Sequence, residues 1–211
     1  MKTLGLLLLI FLLAGCRAEP KAAVIPGEVL LRETFDTRVI GWDAATQGNV
    51  MIGAADGAYR MQADVRDYVR GFYTATYDNV VIDVIGVQLS AENNNAYGVV
   101  CRAAPGDTGN GYYFLIGGDG SYSIREGAQG EIRPLVHWDK TDAVHRGSAE
   151  NRIRAVCIED YLALYVNDQF VADIRDDTYQ RGRIGFAVAA ASGTTIEAAF
   201  DDLIIRTGQI Q

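Results

Sequence analysis

From Glu28 onward, apolar and polar side chains alternate with a period of two, the pattern of strands that bury one face and wet the other. Short turn clusters interrupt this alternation at intervals of roughly eight to twelve residues, which is the signature of a sandwich or barrel. The spacing predicts strands over residues 29–35, 49–52, 58–62, 71–76, 80–89, 96–103, 112–116, 121–126, 132–136, 151–159, 161–166, 169–174, 183–190 and 194–206. Between them, Asp56-Gly57, Gly118-Asp119-Gly120 and Asn167-Asp168 supply residues that tolerate positive φ, as tight hairpins require. Consecutive antiparallel strands follow, and with them an all-β chain folded as two packed sheets. No stretch carries a sustained helical stripe, and no repeat of 20 to 50 residues suggests a propeller or solenoid.

The first residues obey a different rule. Residues 4–13 are uninterrupted by charge and follow Lys2, a leader h-region too short to span a bilayer, which takes about 20 apolar residues. Next comes Leu13-Ala14-Gly15-Cys16, which resembles the lipobox of bacterial lipoproteins. That resemblance implies cleavage before Cys16, a diacylated (palmitate-type) sulfur, frequent acylation of the new amino group, and residence on the extracytoplasmic side of a bacterial membrane in the cell envelope. Two or three chains, at about 0.8 kcal/mol per buried CH₂, hold a protein firmly where one does not. The alternative is an ordinary secretory leader in which Cys16 is incidental. The expected organisation is thus a leader at 1–15, a lipidated tether at 16–27 with two prolines and no periodicity, and one domain at 28–211.

Composition narrows the function classes. At 49% hydrophobic residues the chain is not disordered, and a net charge of −8 excludes non-specific nucleic-acid binding as a role. Loss of Lys2 with the leader makes the charge −9. There are three cysteines. Lipidation of Cys16 leaves Cys101 and Cys157, each inside an apolar strand-like run, as an even pair in an oxidising compartment. A bridge would close a loop of about 57 residues, worth about 4 kcal/mol at most. The alternative is two buried thiols.

Four segments in order carry a family likeness. They are Tyr97-Gly-Val-Val-Cys-Arg102; Tyr112-Tyr-Phe-Leu-Ile116 with Gly120-Ser-Tyr-Ser-Ile124; Asn151-Arg-Ile-Arg154 with Leu164-Tyr-Val-Asn167; and Gly182-Arg-Ile-Gly-Phe186 leading to Phe200-Asp-Asp-Leu203. The chain resembles, over about 28–206, the concanavalin A-like or laminin G-like jelly roll, in the branch related to 3-keto-disaccharide hydrolase domains. The resemblance implies an antiparallel two-sheet β-sandwich. Thr34-Phe35-Asp36 and Phe200-Asp201-Asp202 would then bring the first and last strands side by side.

Chemistry is sparse. Retaining glycosidases need two carboxylates about 5 Å apart, which on one strand face appears as alternating acids, as in Glu-x-Asp-x-Glu, and no such run exists. Nucleophile-elbow, His-Glu-x-x-His and phosphate-loop motifs are missing too, so no catalytic residue is assigned. The segment from His137 to His145 gathers imidazoles and carboxylates with irregular spacing in an expected loop, read as a polar loop with a packed Trp138 or a ligand-contacting aromatic. Asp36, Asp201 and Asp202 offer hard oxygens for one structural calcium; no other cofactor is expected. If Val99 and Cys101 face the core, Arg102 faces outward, beside Tyr113, Tyr122 and Arg125, with Asn93, Asn94, Asn95 and Trp138 at the rim. Arginine, aromatic and amide groups on one concave face suit a sugar. Three functions stay open at this point: a noncatalytic recognition module for a glycan or another extracellular ligand, a hydrolase of modified disaccharides, and a structural envelope protein that binds another protein.

Overall fold

The computed structural model describes residues 19–65, 67–106 and 108–211. The leader, Cys16 and the start of the expected tether lie outside the described residues. Fifteen strands and no helix are present among them: β1 Val24–Glu33, β2 Ala45–Gln47, β3 Val50–Ala55, β4 Ala58–Ala63, β5 Val69–Tyr77, β6 Val80–Gln88, β7 Ala96–Ala103, β8 Gly111–Gly117, β9 Ser121–Ala128, β10 Glu131–Lys140, β11 Glu150–Ile158, β12 Tyr161–Val166, β13 Gln169–Arg175, β14 Gly182–Ala189 and β15 Ile196–Ile210. All pairings are antiparallel. One sheet runs β13-β12-β11-β6-β15-β4-β3-β2, with β1 on the second half of β15; the other runs β10-β9-β8-β7-β14-β5. No helix among the described residues is long and apolar enough to cross a membrane.

Alternation decides which side chains fill the space between the sheets. Tyr97, Val99 and Cys101 of β7 face inward with Tyr112, Phe114 and Ile116 of β8, against Val80, Ile82 and Val84 of β6. A stack of aromatic rings crosses the gap: Trp42 lies 5.2 Å from Phe186, and Phe186 lies 4.2 Å from Phe200 of the opposite sheet. Such contacts contribute about 0.5–1.5 kcal/mol per pair beyond area burial. Cys101 of β7 is disulfide-bonded to Cys157 of β11, so one covalent bond joins the two sheets through the core. The hairpins form as their sequences require, with positive φ at Asp56 and Gly57 and at both Asn167 and Asp168. β1 pairs with β15, Glu33 opposite Leu203, so the first and last strands are neighbours.

Three details depart from the expectation. β1 starts at Val24, inside the segment read as a tether. β10 continues through His137 and Trp138 to Lys140, where a loop was expected. β2 was not anticipated; its three residues are all exposed and show no alternation.

Candidate functional site

The outer face of the six-stranded sheet positions the candidate site. Reading across it in register, Arg125 of β9 lies opposite Tyr113 of β8, Tyr113 opposite Val100 of β7, Val100 opposite Gly185 of β14, and Gly185 opposite Phe72 of β5. This face does not present a bare floor. Val100, Tyr113, Leu115 and Ala187 form a second, smaller core with Phe72, covered by Tyr68 and Ile132. The Tyr68 ring lies 5.6 Å from that of Tyr113, whose hydroxyl donates to Gly109 O at 2.7 Å. Arg183 stacks over Phe72 at 4.5 Å while donating to Ala104 O and Gly106 O. Two depressions remain open above this layer. One, of about 550 Å³, lies among Tyr68, Arg70, Thr108, Ile132 and Arg133. The other, of about 380 Å³, lies at the sheet's end among Asn94, Asp119, Ser121, Trp138 and Lys140.

The smaller depression has the clearer chemistry. Trp138, near the end of β10, keeps 42% of its surface exposed, a large apolar plane held in water. The Arg125 guanidinium carbon lies 5.9 Å from the Trp138 ring centre, within cation–π range. Arg125 also donates to Ile132 O at 3.1 Å, yet its Nε is buried with no hydrogen-bond partner. Around the plane, Lys140 Nζ donates to both Asp119 O and the Asp119 carboxylate, and Ser121 donates twice more to that carboxylate. Burial pushes the Asp119 carboxyl up, but Lys140 and Ser121 outweigh it and hold the group below its ordinary value. Asn94 is exposed at the rim, whereas Asn95 is buried and spent on structure, binding Ala191 N, Thr194 Oγ1 and Thr195 O.

Several expected site residues lie elsewhere. Arg102 does not face outward. Its backbone is left-handed (φ 53°), breaking the alternation, and its side chain turns into the end of the sandwich at 1% exposure. There it donates to Asp78 O (3.1 Å), Glu159 O (2.6 Å), Tyr179 O (2.8 Å) and Asn79 Oδ1 (3.3 Å), clamping three loops. Gly182 makes this possible, since a Cβ there would sit 2.3 Å from the Arg102 carbonyl carbon. Tyr122 points to the core, because it lies two positions from Ile124 and three from Arg125. Tyr113 faces outward but is fully buried. The His145 imidazole is exposed, its Nδ1 3.0 Å from Glu150 O, while its main chain joins an internal network: the backbone N–H donates to Asn151 Oδ1 at 2.8 Å, and Asn151 Nδ2 donates to His145 O and the Tyr97 hydroxyl. Burial raises Tyr97 to about 12, so it stays neutral. Asp36 and Asp202 lie near enough to Asp201 to add to the burial that raises its carboxyl, yet among the described residues no group of three or more His, Cys, Asp or Glu converges on a metal position. Tyr68, Phe72 and Arg183 were not anticipated, since their parts emerge only once β5 and β14 are placed in register beside β7.

No family model and no curated protein matches the chain. Solved structures do. The carbohydrate-binding module CBM66 from Bacillus subtilis is similar with a TM-score of 0.67 at 15% identity, covering 79% of this chain and 96% of that one. A Bacillus subtilis protein of unknown function with a galectin-like fold gives 0.62 at 14%, covering 90% and 100%. A Bacillus licheniformis β-glucanase gives 0.62 at 13%, covering 86% and 98%. At these identities the likeness establishes the fold, a concanavalin-like or galectin-like β-sandwich, found among both carbohydrate-binding modules and glycosidases.

Proposed function

We propose that this chain is a noncatalytic carbohydrate-recognition sandwich, held on the extracytoplasmic side of a bacterial membrane by lipid on Cys16, and that it binds glycan at the Trp138 depression. The observation that carries the reading is Trp138 itself. A ring left 42% exposed, backed by Arg125 and ringed by Asn94, Asp119 and Lys140, offers a pyranose an apolar plane and nearby hydroxyl partners. The similarity to CBM66 supports the same ligand class. Cleavage finds less support: of the two carboxylates that line the depression, Asp119 and Asp139, the first is engaged by Lys140 and Ser121, and retaining chemistry needs two acids free to act about 5 Å apart.

Affinity electrophoresis against a panel of soluble polysaccharides tests the proposal. At least one polysaccharide should retard the mature protein, and Trp138→Ala should weaken that binding about tenfold or more, equivalent to about 1.4 kcal/mol, with unchanged unfolding. Retardation by none, or equal retardation of the variant, would refute it. For the anchor, Cys16→Ser should leave the membrane fraction; unchanged partitioning would end that reading.

A further inference from the structure

The segment entering the domain is strapped to it rather than loose. Lys21 donates its backbone N–H to Asp173 Oδ2 at 2.7 Å, and its Nζ lies 3.2 Å from Oδ1. The Asp173 side chain is only 5% exposed and also accepts from the Tyr161 hydroxyl at 2.9 Å. Ala22 and Val24 pack on Val81, Val156, Ile158, Tyr161 and Ala163, an apolar cluster on the outer face of the nine-stranded sheet. Gln211 at the other terminus donates to Ala23 O at 3.0 Å. Each residue from 21 to 24 therefore has a partner in the fold.

The place of this strap is what matters. Tyr161 opens β12 opposite Arg175 near the end of β13, and Cys157 near the end of β11 pairs with Val80 at the start of β6. The Arg102 clamp, which takes Glu159 O and Asp78 O, is at that same end. Trp138 belongs to the opposite end, with Ser121 pairing to Lys140 and Ala96 to Gly117. The nine residues of β11 separate the two ends by about 27 Å. Five Cα-to-Cα steps lead from Cys16 to Lys21, a reach of about 18 Å at full extension. Lipid on Cys16 would hold the strapped end within that distance of the bilayer. Its ion pairs, Asp78 with Arg181, Asp160 with Arg175 and Asp173 with Lys21, also offset much of the acidity it would present to anionic headgroups.

We infer that the strap seats the sandwich upright on its own membrane, with the Asp173 and Arg102 end against the lipid headgroups and the Trp138 depression facing away. This rests on the lipidation of Cys16. Without the strap, a tether of a dozen residues would let the domain tumble and present any face.

The test uses the acylated mature protein on vesicles of phosphatidylethanolamine and phosphatidylglycerol that contain a nickel-chelating headgroup lipid. A nitroxide is placed at Gln180→Cys, at the strapped end, or at Asn93→Cys, at the Trp138 end; both positions are exposed. Nickel should relax the label at 180 several-fold more than that at 93. Asp173→Ala, and separately Lys21→Ala with Ala22→Gly on the strap side, should bring the two values together. Equal relaxation in the native sequence, or a difference unchanged by both strap variants, overturns the inference while flotation of the protein with the vesicles leaves the anchor reading standing. Failure of the acylated protein to float removes both. Trypsin reads the strap without lipid: cleavage after Lys21 should be slow in the native sequence and fast in Asp173→Ala, and equal rates count against the strap.

Discussion

The two ends of the sandwich use arginine in different ways. At one, Arg102 is buried and its donors meet the carbonyls of Asp78, Glu159 and Tyr179. Toward the other, Arg125 is only partly covered and stands behind an exposed tryptophan. The same residue type thus ties loops together at one end and braces an exposed ring toward the other. A fully satisfied network rigidifies the elements it joins, whereas a guanidinium behind an exposed ring leaves that ring's other face open to a partner.

Arg102→Ala should break the closed end with the largest effect. It removes a fully buried side chain, opens a cavity and leaves three part-buried carbonyls without their donor, for a loss of about 3 kcal/mol or more in denaturant titration. A loss under about 1 kcal/mol would mean that the clamp is ornamental. Replacing Cys101 and Cys157 together by alanine should cost about 2–4 kcal/mol, tested by the shift in denaturation midpoint against the native protein with and without reductant. Trp138→Ala should move stability by no more than about 0.5 kcal/mol, as an exposed site does, which sharpens the contrast with Arg102.

Acid separates the ends least. Asp173 and Asp119 are each held below the ordinary carboxylate value of 3.8: burial raises them, and the partners Lys21 and Tyr161 or Lys140 and Ser121 more than reverse it. A depressed carboxyl contributes stability that is fully present above its unfolded value and is lost as pH falls through the folded one. Strap and rim should therefore persist unchanged from pH 8 to about 5 and weaken only below about 3.8. Tryptic cleavage after Lys21 that accelerates between pH 8 and 6 would contradict this.

Sequence made the frame legible because burial imposes a period of two. Strands 96–103 and 161–166 match the structure end to end, and the bridge forms between the two cysteines, 101 and 157, that parity left as a pair. The same parity separates Tyr122 from Arg125, three positions apart, so that part of the error in the site was avoidable. Arg102 was different in kind: a left-handed backbone at a non-glycine residue breaks the count, and its cause, the close approach of Gly182 on another strand, is invisible locally. β10 was cut short at 136 because an edge strand wetted on both sides near its end, through His137 to Lys140, loses the alternation that marks a strand. The outward layer of Tyr68, Phe72 and Arg183 depends on register between distant strands, which no single segment encodes.

The aromatic stack has a spectroscopic corollary. The chain has two tryptophans. Trp42 is packed against Phe186 and Tyr59 within the sandwich, and Trp138 faces solvent at the open end. One should emit blue and be protected from iodide; the other should emit red and be quenched. Unfolding would be reported by the first and occupancy of the Trp138 depression by the second, so the native chain carries separate optical readouts for its closed core and its open pocket.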